Sequence, residues 1–200
     1  MIDCQLLISK FRNKVNEYFS LSEATFELLK AHIDCIALSR NEILLDYGKT
    51  CKDLYFVCQG ILIAYFIDKN GSTYNKNIFF ENEFAGSMVS AITQKPSEFV
   101  IQSLENSLVI KVDFSEFKRL ISQNEEIKNF YIAYLEKNWV IDKEQREIAI
   151  VMQDAIFRYK NLLEKYPNID RRVPLKHIAS HFGHLPPKPQ TFSRIRKEIL

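Results

Sequence analysis

Residues Asp53–Phe80 read DLYFVCQGILIAYFIDKNGSTYNKNIFF, and the pattern of this stretch sets the architecture of the chain. Three short runs rich in β-branched and aromatic side chains, DLYFVCQ, ILIAYFID and TYNKNIFF, are parted by Gln59-Gly60 and by Asp68–Gly71. Such runs suit a pleated, half-buried surface, and DKNG between two of them is a hairpin signal. Similar runs lie on both sides: CIALS and EILLDY before, SEFVIQSL and SLVIKV after, with YGK and ENEF as further turn signals. Strands at this regular spacing predict a sandwich, barrel or jelly roll.

Helical periodicity replaces the strand pattern outside this block. Residues 22–34 predict a helix opened by Ser22, with Phe26, Leu29 and Ile33 on one face. Asp113 is the expected N-cap of DFSEFKRLIS, which turns Phe114, Phe117, Leu120 and Ile121 to a core. A longer helix is expected over 124–153. Along it Ile127, Tyr131, Tyr134, Asn138, Ile141, Gln145, Ile148 and Met152 recur at spacings of four and three. A seam of that length fits a parallel two-helix dimer contact, with Asn138 and Gln145 fixing register at a cost in stability. Phe130, Leu135, Trp139 and Ala149 lie off the seam and suit packing on the β domain. The alternative is one amphipathic helix lying on its own domain. Beyond it, DAIFRYKNLLEKY is amphipathic and stops before Pro167, PNIDRRV reads as a linker, and Pro174 opens PLKHIASHF, closed by Gly183.

Composition bounds the function. Of 200 residues, 46% are hydrophobic and 26% charged, as in an ordinary globular protein. No apolar run reaches the roughly 18 residues of a membrane span, and the N-terminus lacks signal-peptide order, so a cytoplasmic protein is expected. Cys4, Cys35, Cys51 and Cys58 are scattered without a CxxC and read as free thiols of a reducing compartment. Residues 1–154 hold 17 Lys+Arg against 22 Asp+Glu, a balance of −5; residues 155–200 hold 10 against 3, a balance of +7. A basic tail on an acidic body fits either a nucleic-acid reader or a solvated basic face.

With LLDYGKTCKDLYFVCQGILIAYF, the stretch EFAGSMVSAI…KPSEFVIQSLENS and the closing IASHFG…QTFSRIRKEI, the chain resembles the Crp/Fnr family of bacterial transcription regulators. The resemblance implies an α+β fold in three parts. A cyclic-nucleotide-binding-like β-roll with N-terminal helices spans 1–123, a dimerisation helix 124–153, and a helix-turn-helix DNA-binding domain 154–200. Gly48, Gly60 and Gly71 fall at the turns of such a roll.

In ligand-binding members of the family, a Gly-Glu pair and an Arg-Ser pair hold the cyclic phosphate. Here Gly86 stands at the glycine, but Ser87, followed by Met88, replaces the glutamate, and Pro96-Ser97 replaces Arg-Ser. The nearest cations are Lys95 and Lys76. Hydrogen bonds to charged groups are worth about 1.5–3 kcal/mol each, so their loss argues against cyclic AMP. The roll then senses another small molecule or serves only as a platform. No metal or other cofactor is expected: the thiols are not clustered for iron–sulfur, no axial haem ligand is identifiable, and His177, His181 and His184 read as polar residues near DNA phosphates.

For the helix-turn-helix, Ile178 and Phe182 would meet Phe192 and Ile195, with Ala179 allowing close approach. Gln190, Ser193, Arg194 and Lys197 form one exposed stripe for base edges, Arg194 matching the family's base-reading arginine. Thr191, Arg196, Lys188, Lys176 and the pair Arg171-Arg172 are the expected phosphate contacts. The HLPPKP spacer is about three residues longer than the family turn, which we read as a bulge, and the wing after the recognition helix is missing or reduced. The expected partners are double-stranded DNA, a second copy of the chain, RNA polymerase and an unidentified effector. The rival reading is a ligand-sensing or protein-interaction module whose altered helix-turn-helix does not read DNA. An enzyme is not expected, since the only histidine before residue 177 is His32.

Overall fold

The computed structural model of the protein describes residues 3–68 and 73–182. Helix α1 (Cys4–Tyr18) is capped by Asp3, whose carboxylate accepts from the Leu6 N–H at 3.1 Å. Helix α2 (Glu23–Lys30) is capped by Ser22 as expected, but it ends by residue 30, and Ile33 already belongs to a strand. The strands are β1 (Ile33–Leu38), β2 (Ile43–Leu45), β3 (Asp53–Gln59), β4 (Leu62–Ile67), β5 (Thr73–Phe79), β6 (Phe84–Ala85), β7 (Val100–Ser103) and β8 (Ser107–Asp113). The short helix α3 (Met88–Thr93) lies between β6 and β7.

The strands form two four-stranded antiparallel sheets, ordered β1-β8-β3-β6 and β2-β7-β4-β5, a jelly-roll-like β-roll. Each run singled out in the sequence contributes a strand, and β4 pairs with β5 on either side of the DKNG hairpin from Ile67↔Thr73 to Leu62↔Phe79. Gly60 turns the chain between β3 and β4 at φ +97°, and a Cβ there would lie 2.1 Å from Ser107 Oγ. Only glycine meets both demands.

The inner faces of the two sheets bury Phe56, Leu62, Ile101 and Ile110, and α1 closes this core with Phe11 and Val15. Helix α4 (Phe114–Gln123) follows β8 directly, with Asp113 accepting from the Glu116 N–H at 2.9 Å. Helix α5 (Glu125–Leu135) is capped by Asn124 and adds Ile127 and Phe130 to the same core. The chain continues through a π-helical turn (Glu136–Ile141) into α6 (Asp142–Met152). The expected helix over 124–153 therefore exists, with one wide turn inside it.

Two expectations are corrected. Cys4 and Cys35 are joined in a disulfide, because α1 starts beside β1 and brings the two Cα atoms to 5.8 Å. Cys51 and Cys58 remain free and buried, and burial pushes the Cys58 thiol up to about 11. PNIDRRV is not a bare linker: after α7 (Ala155–Lys165) it forms the helical turn α8 (Ile169–Arg172), which buries Ile169 and Val173. Helix α9 (Leu175–Phe182) follows Pro174. A second core lies on the outer face of the β4–β5 sheet. There Ile61, Ile63, Ile78, Phe80 and Leu104 meet Tyr159, Ile169, Val173 and Ile178. Among the described residues no helix is long and apolar enough to cross a membrane.

Candidate functional site

A cleft of about 1350 Å³ opens between the β-roll and the helical stretch that leaves it. Its floor is the inner side of β4–β5 and the 84–88 segment; its wall is the run from Phe130 to Ala149, with Leu162–Tyr166 of α7 at one end. Gly86, Ser87 and Met88 line it, whereas Pro96 and Ser97 do not. Gly86 lies close against Leu54, where a Cβ would come within 2.4 Å of Leu54 Cδ2.

The loop that follows satisfies itself. Buried Ser97 contacts Ser87, Oγ to Oγ, at 3.0 Å, and its Oγ also accepts from the Phe99 N–H at 3.1 Å. Ser90 Oγ donates to the Lys95 carbonyl at 2.5 Å and accepts from the Cys51 N–H at 2.9 Å. Pro96 is exposed and bridges to Thr50. Of these hydroxyls only that of Ser87 belongs to a lining residue, and Lys95 does not line the cleft.

The cations of the cleft stand elsewhere. Lys76 occupies a bulge in β5, between Asn75 and Asn77, and places its ammonium 4.0 Å from the centre of the Phe99 ring. Phe99 stacks on Phe66, which stacks on Tyr74. Arg146 of α6 reaches across the cleft to Asn77 Oδ1 at 3.4 Å. Partial desolvation and the nearby Arg146 charge lower the Lys76 pKa, with Glu98 opposing. Neither cation forms an ion pair among the described residues. The sequence reading noted Lys76 without an orientation and missed Arg146; no local pattern marks a cation that a helix carries to a strand so far away in the chain.

The expected dimer seam divides at the π turn. Ile127, Tyr131, Tyr134 and Asn138 face the chain's own body. Tyr134 packs edge-on against Tyr18 and Phe84, and burial pushes its phenol up to about 12. Asn138 donates to the Tyr18 hydroxyl at 3.1 Å and to the Tyr134 carbonyl. After the turn, Ile141, Gln145, Ile148 and Met152 face solvent, with Val151 81% and Met152 78% exposed. A π turn adds a residue to one turn and so shifts the phase of the face that follows. Of the four off-seam residues, Phe130 is buried on the roll while Trp139 is exposed.

On the basic segment, Arg172 forks into a carboxylate pair, 2.6 Å from Glu81 and 2.5 Å from Glu105, which raises its pKa. In this arrangement it is engaged by the roll and not open to phosphate. Tyr166 donates to Glu83 at 2.5 Å and stacks on Phe80. His177 is half-buried, its Nδ1 and carbonyl 2.9 and 3.0 Å from Asn75 Nδ2, and burial followed by the Lys176 charge lowers its pKa. Ile178 is fully buried against the sheet. Lys176 and Arg171 are exposed. Gln190, Thr191, Ser193, Arg194, Arg196, Lys197, Lys188, Phe192, Ile195 and His184 lie outside the described residues, as do the side chains of Ala179, His181 and Phe182. Among the described residues no cluster of three or more metal-ligating side chains forms.

No curated protein matches the chain in sequence. Residues 35–124 match the family described as Cyclic nucleotide-binding domain. Among solved structures, a candidate cyclic nucleotide-binding protein from Ruegeria pomeroyi DSS-3 is similar over 99% of this chain and 88% of its own, at 15% identity and a TM-score of 0.71. The c-di-GMP responsive global regulator CLP of Xanthomonas campestris is similar over 89% and 91%, at 15% identity and a TM-score of 0.65. DNR from Pseudomonas aeruginosa is similar over 99% and 87%, at 16% identity and a TM-score of 0.57. The β-roll and the helices around it therefore have the fold of a cyclic nucleotide-binding domain and of regulators built on one.

Proposed function

We propose that the chain is a homodimeric, sequence-specific DNA-binding transcription regulator of the Crp/Fnr type, and not an enzyme. In this reading residues 1–123 are the sensor, 124–153 the dimer helix and 154–200 the DNA-binding part. The observation that carries it is the apolar stripe Ile141, Ile148, Val151 and Met152, exposed on the helix that leads from the roll to the basic segment. An exposed stripe of this kind needs a partner, and a second copy supplies the same stripe. The fold likeness to CLP, a global regulator by its own description, is in accord. Gln190, Ser193, Arg194 and Lys197 are the proposed base readers, and Thr191, Arg196, Lys188 and Lys176 the proposed phosphate contacts. The protein would act in the cytoplasm, with RNA polymerase as a further partner. Cyclic AMP is not the proposed effector, because the resemblance implies Ser87 and Pro96-Ser97 in place of the charged residues that hold the cyclic phosphate in ligand-binding members.

Selection from random DNA with the purified protein tests the reading. A palindrome with half-sites about one helical turn apart is the expected product, and Arg194→Ala should relax one base position. No enrichment at low salt would remove the proposal. The rival, a module that no longer reads DNA, draws support from Arg172, which the roll's carboxylates hold; it predicts weak, steeply salt-dependent binding without sequence preference.

A further inference from the structure

Lys76 and Arg146 converge on the cleft from a strand and a helix, and among the described residues neither forms an ion pair, Glu98 acting on Lys76 only through its nearby charge. Asn77, next to Lys76 on β5, accepts from Arg146. The walls beside them are aromatic: Phe79, Phe99, Tyr131 and Trp139 all line the same space. At the far end, Ser87 and Ser97 bond each other and offer no charge.

We infer that the cleft binds a small anionic molecule with an aromatic body, its anion seated between Lys76 and Arg146 and its rings against the aromatic wall. The inference rests on the reading of the roll as a sensor domain and names the ligand class that the sensor takes. Three features of the geometry lead there. A guanidinium fork and an ammonium on opposite sides of one space suit a carboxylate or sulfonate, which accepts from both. The ammonium over Phe99 is held by the ring's electron-rich face, so an arriving anion need not break an ion pair to reach it. Aromatic walls favour a flat, apolar body by offset stacking. The charge of this site comes from Lys76 on β5 and Arg146 on α6, and not from the Ser87 segment.

The probe is 8-anilinonaphthalene-1-sulfonate, an aromatic sulfonate whose fluorescence reports binding. The full chain should bind it saturably, one molecule per chain. Lys76→Met and Arg146→Met should each weaken binding about tenfold or more, the loss of one charge-assisted contact, while Lys95→Met leaves it unchanged. Benzoate should displace the probe and benzamide, its neutral isostere, should not. Lys76→Arg, which keeps the charge, should retain binding, and far-UV circular dichroism with thermal melting confirms that each variant is folded. Displacement by benzamide as effective as by benzoate, unchanged binding in folded Lys76→Met and Arg146→Met, or no saturable binding overturns the inference. The DNA selection is read separately. A chain that enriches a palindrome but does not bind the probe overturns the ligand class alone; one that binds the probe and enriches no DNA supports the ligand class and removes the regulator reading.

Discussion

Phe80 and Tyr166 lie face to face, ring centroids 3.8 Å apart and planes within 19°, and this pair joins the β-roll to helix α7. Phe80 follows the last residue of β5 and is buried; Tyr166 caps α7 and also donates to Glu83. Truncation of a buried Phe costs about 3–5 kcal/mol. Phe80→Ala should therefore loosen the C-terminal helices before it unfolds the roll. Limited proteolysis between 153 and 169 should accelerate, while hydrogen exchange in β3 and β8 stays slow.

The Arg172 fork makes the docking pH-dependent on the acid side. Burial alone would raise the Glu81 pKa, but the Arg172 bonds and the Gly60 N–H lower it on balance below its ordinary 4.5. A carboxylate with a depressed native pKa stabilises above its unfolded value and loses that contribution as pH falls through the native one. The pair is about one-third exposed, so solvent screening holds its worth to about 1 kcal/mol. Glu81→Gln should lower stability by about that much at pH 7. The gap to wild type should begin to close below pH 4.5 in urea titrations.

Two isoleucines of one helical stretch should behave in opposite ways. Ile127 is fully buried, and its truncation to Ala should cost about 2–5 kcal/mol of stability. Ile148 is 54% exposed, so Ile148→Glu should leave the fold of a single chain unchanged and split the proposed dimer. Sedimentation velocity with thermal melting separates the two effects; a dimer that survives Ile148→Glu with Met152→Glu would place the contact elsewhere.

The disulfide between Cys4 and Cys35 ties α1 to β1 across 31 residues of sequence. Closing a loop of that size stabilises by about 3–4 kcal/mol on chain-entropy grounds. Reduction, or Cys35→Ser, should lower the melting temperature and expose α1 first, read as faster exchange at Phe11 and Val15. Cys51 and Cys58, buried with raised thiol pKa values, should resist alkylation in the folded chain.

Local signals reached as far as local physics does. The strands on either side of Asp68 and the caps Ser22 and Asp113 are legible in the sequence, because alternation and capping act within a few residues. In helix α1, Leu7, Phe11 and Val15 carry helical spacing and are all buried. The seam assumes an unbroken period, and nothing in EKNWVI announces a π turn, so the inward turn of Tyr134 and Asn138 is not legible from spacing. Arg172 looked like a phosphate ligand because its partners, Glu81 and Glu105, lie far away in sequence. The substitutions at Ser87 and Pro96 were visible at once; that the charge reappears at Lys76 and Arg146 is a fact of tertiary placement.

The turn from Glu81 to Glu83 belongs to two surfaces at once. One side lines the cleft, and the other holds Arg172, Tyr166 and Lys165 of the C-terminal helices. A molecule in the cleft that moves this turn would change the docking of the helices, and undocking would change that molecule's affinity by the same factor. If the helices leave the roll to meet DNA as proposed, the same linkage would tie that departure to the occupancy of the cleft.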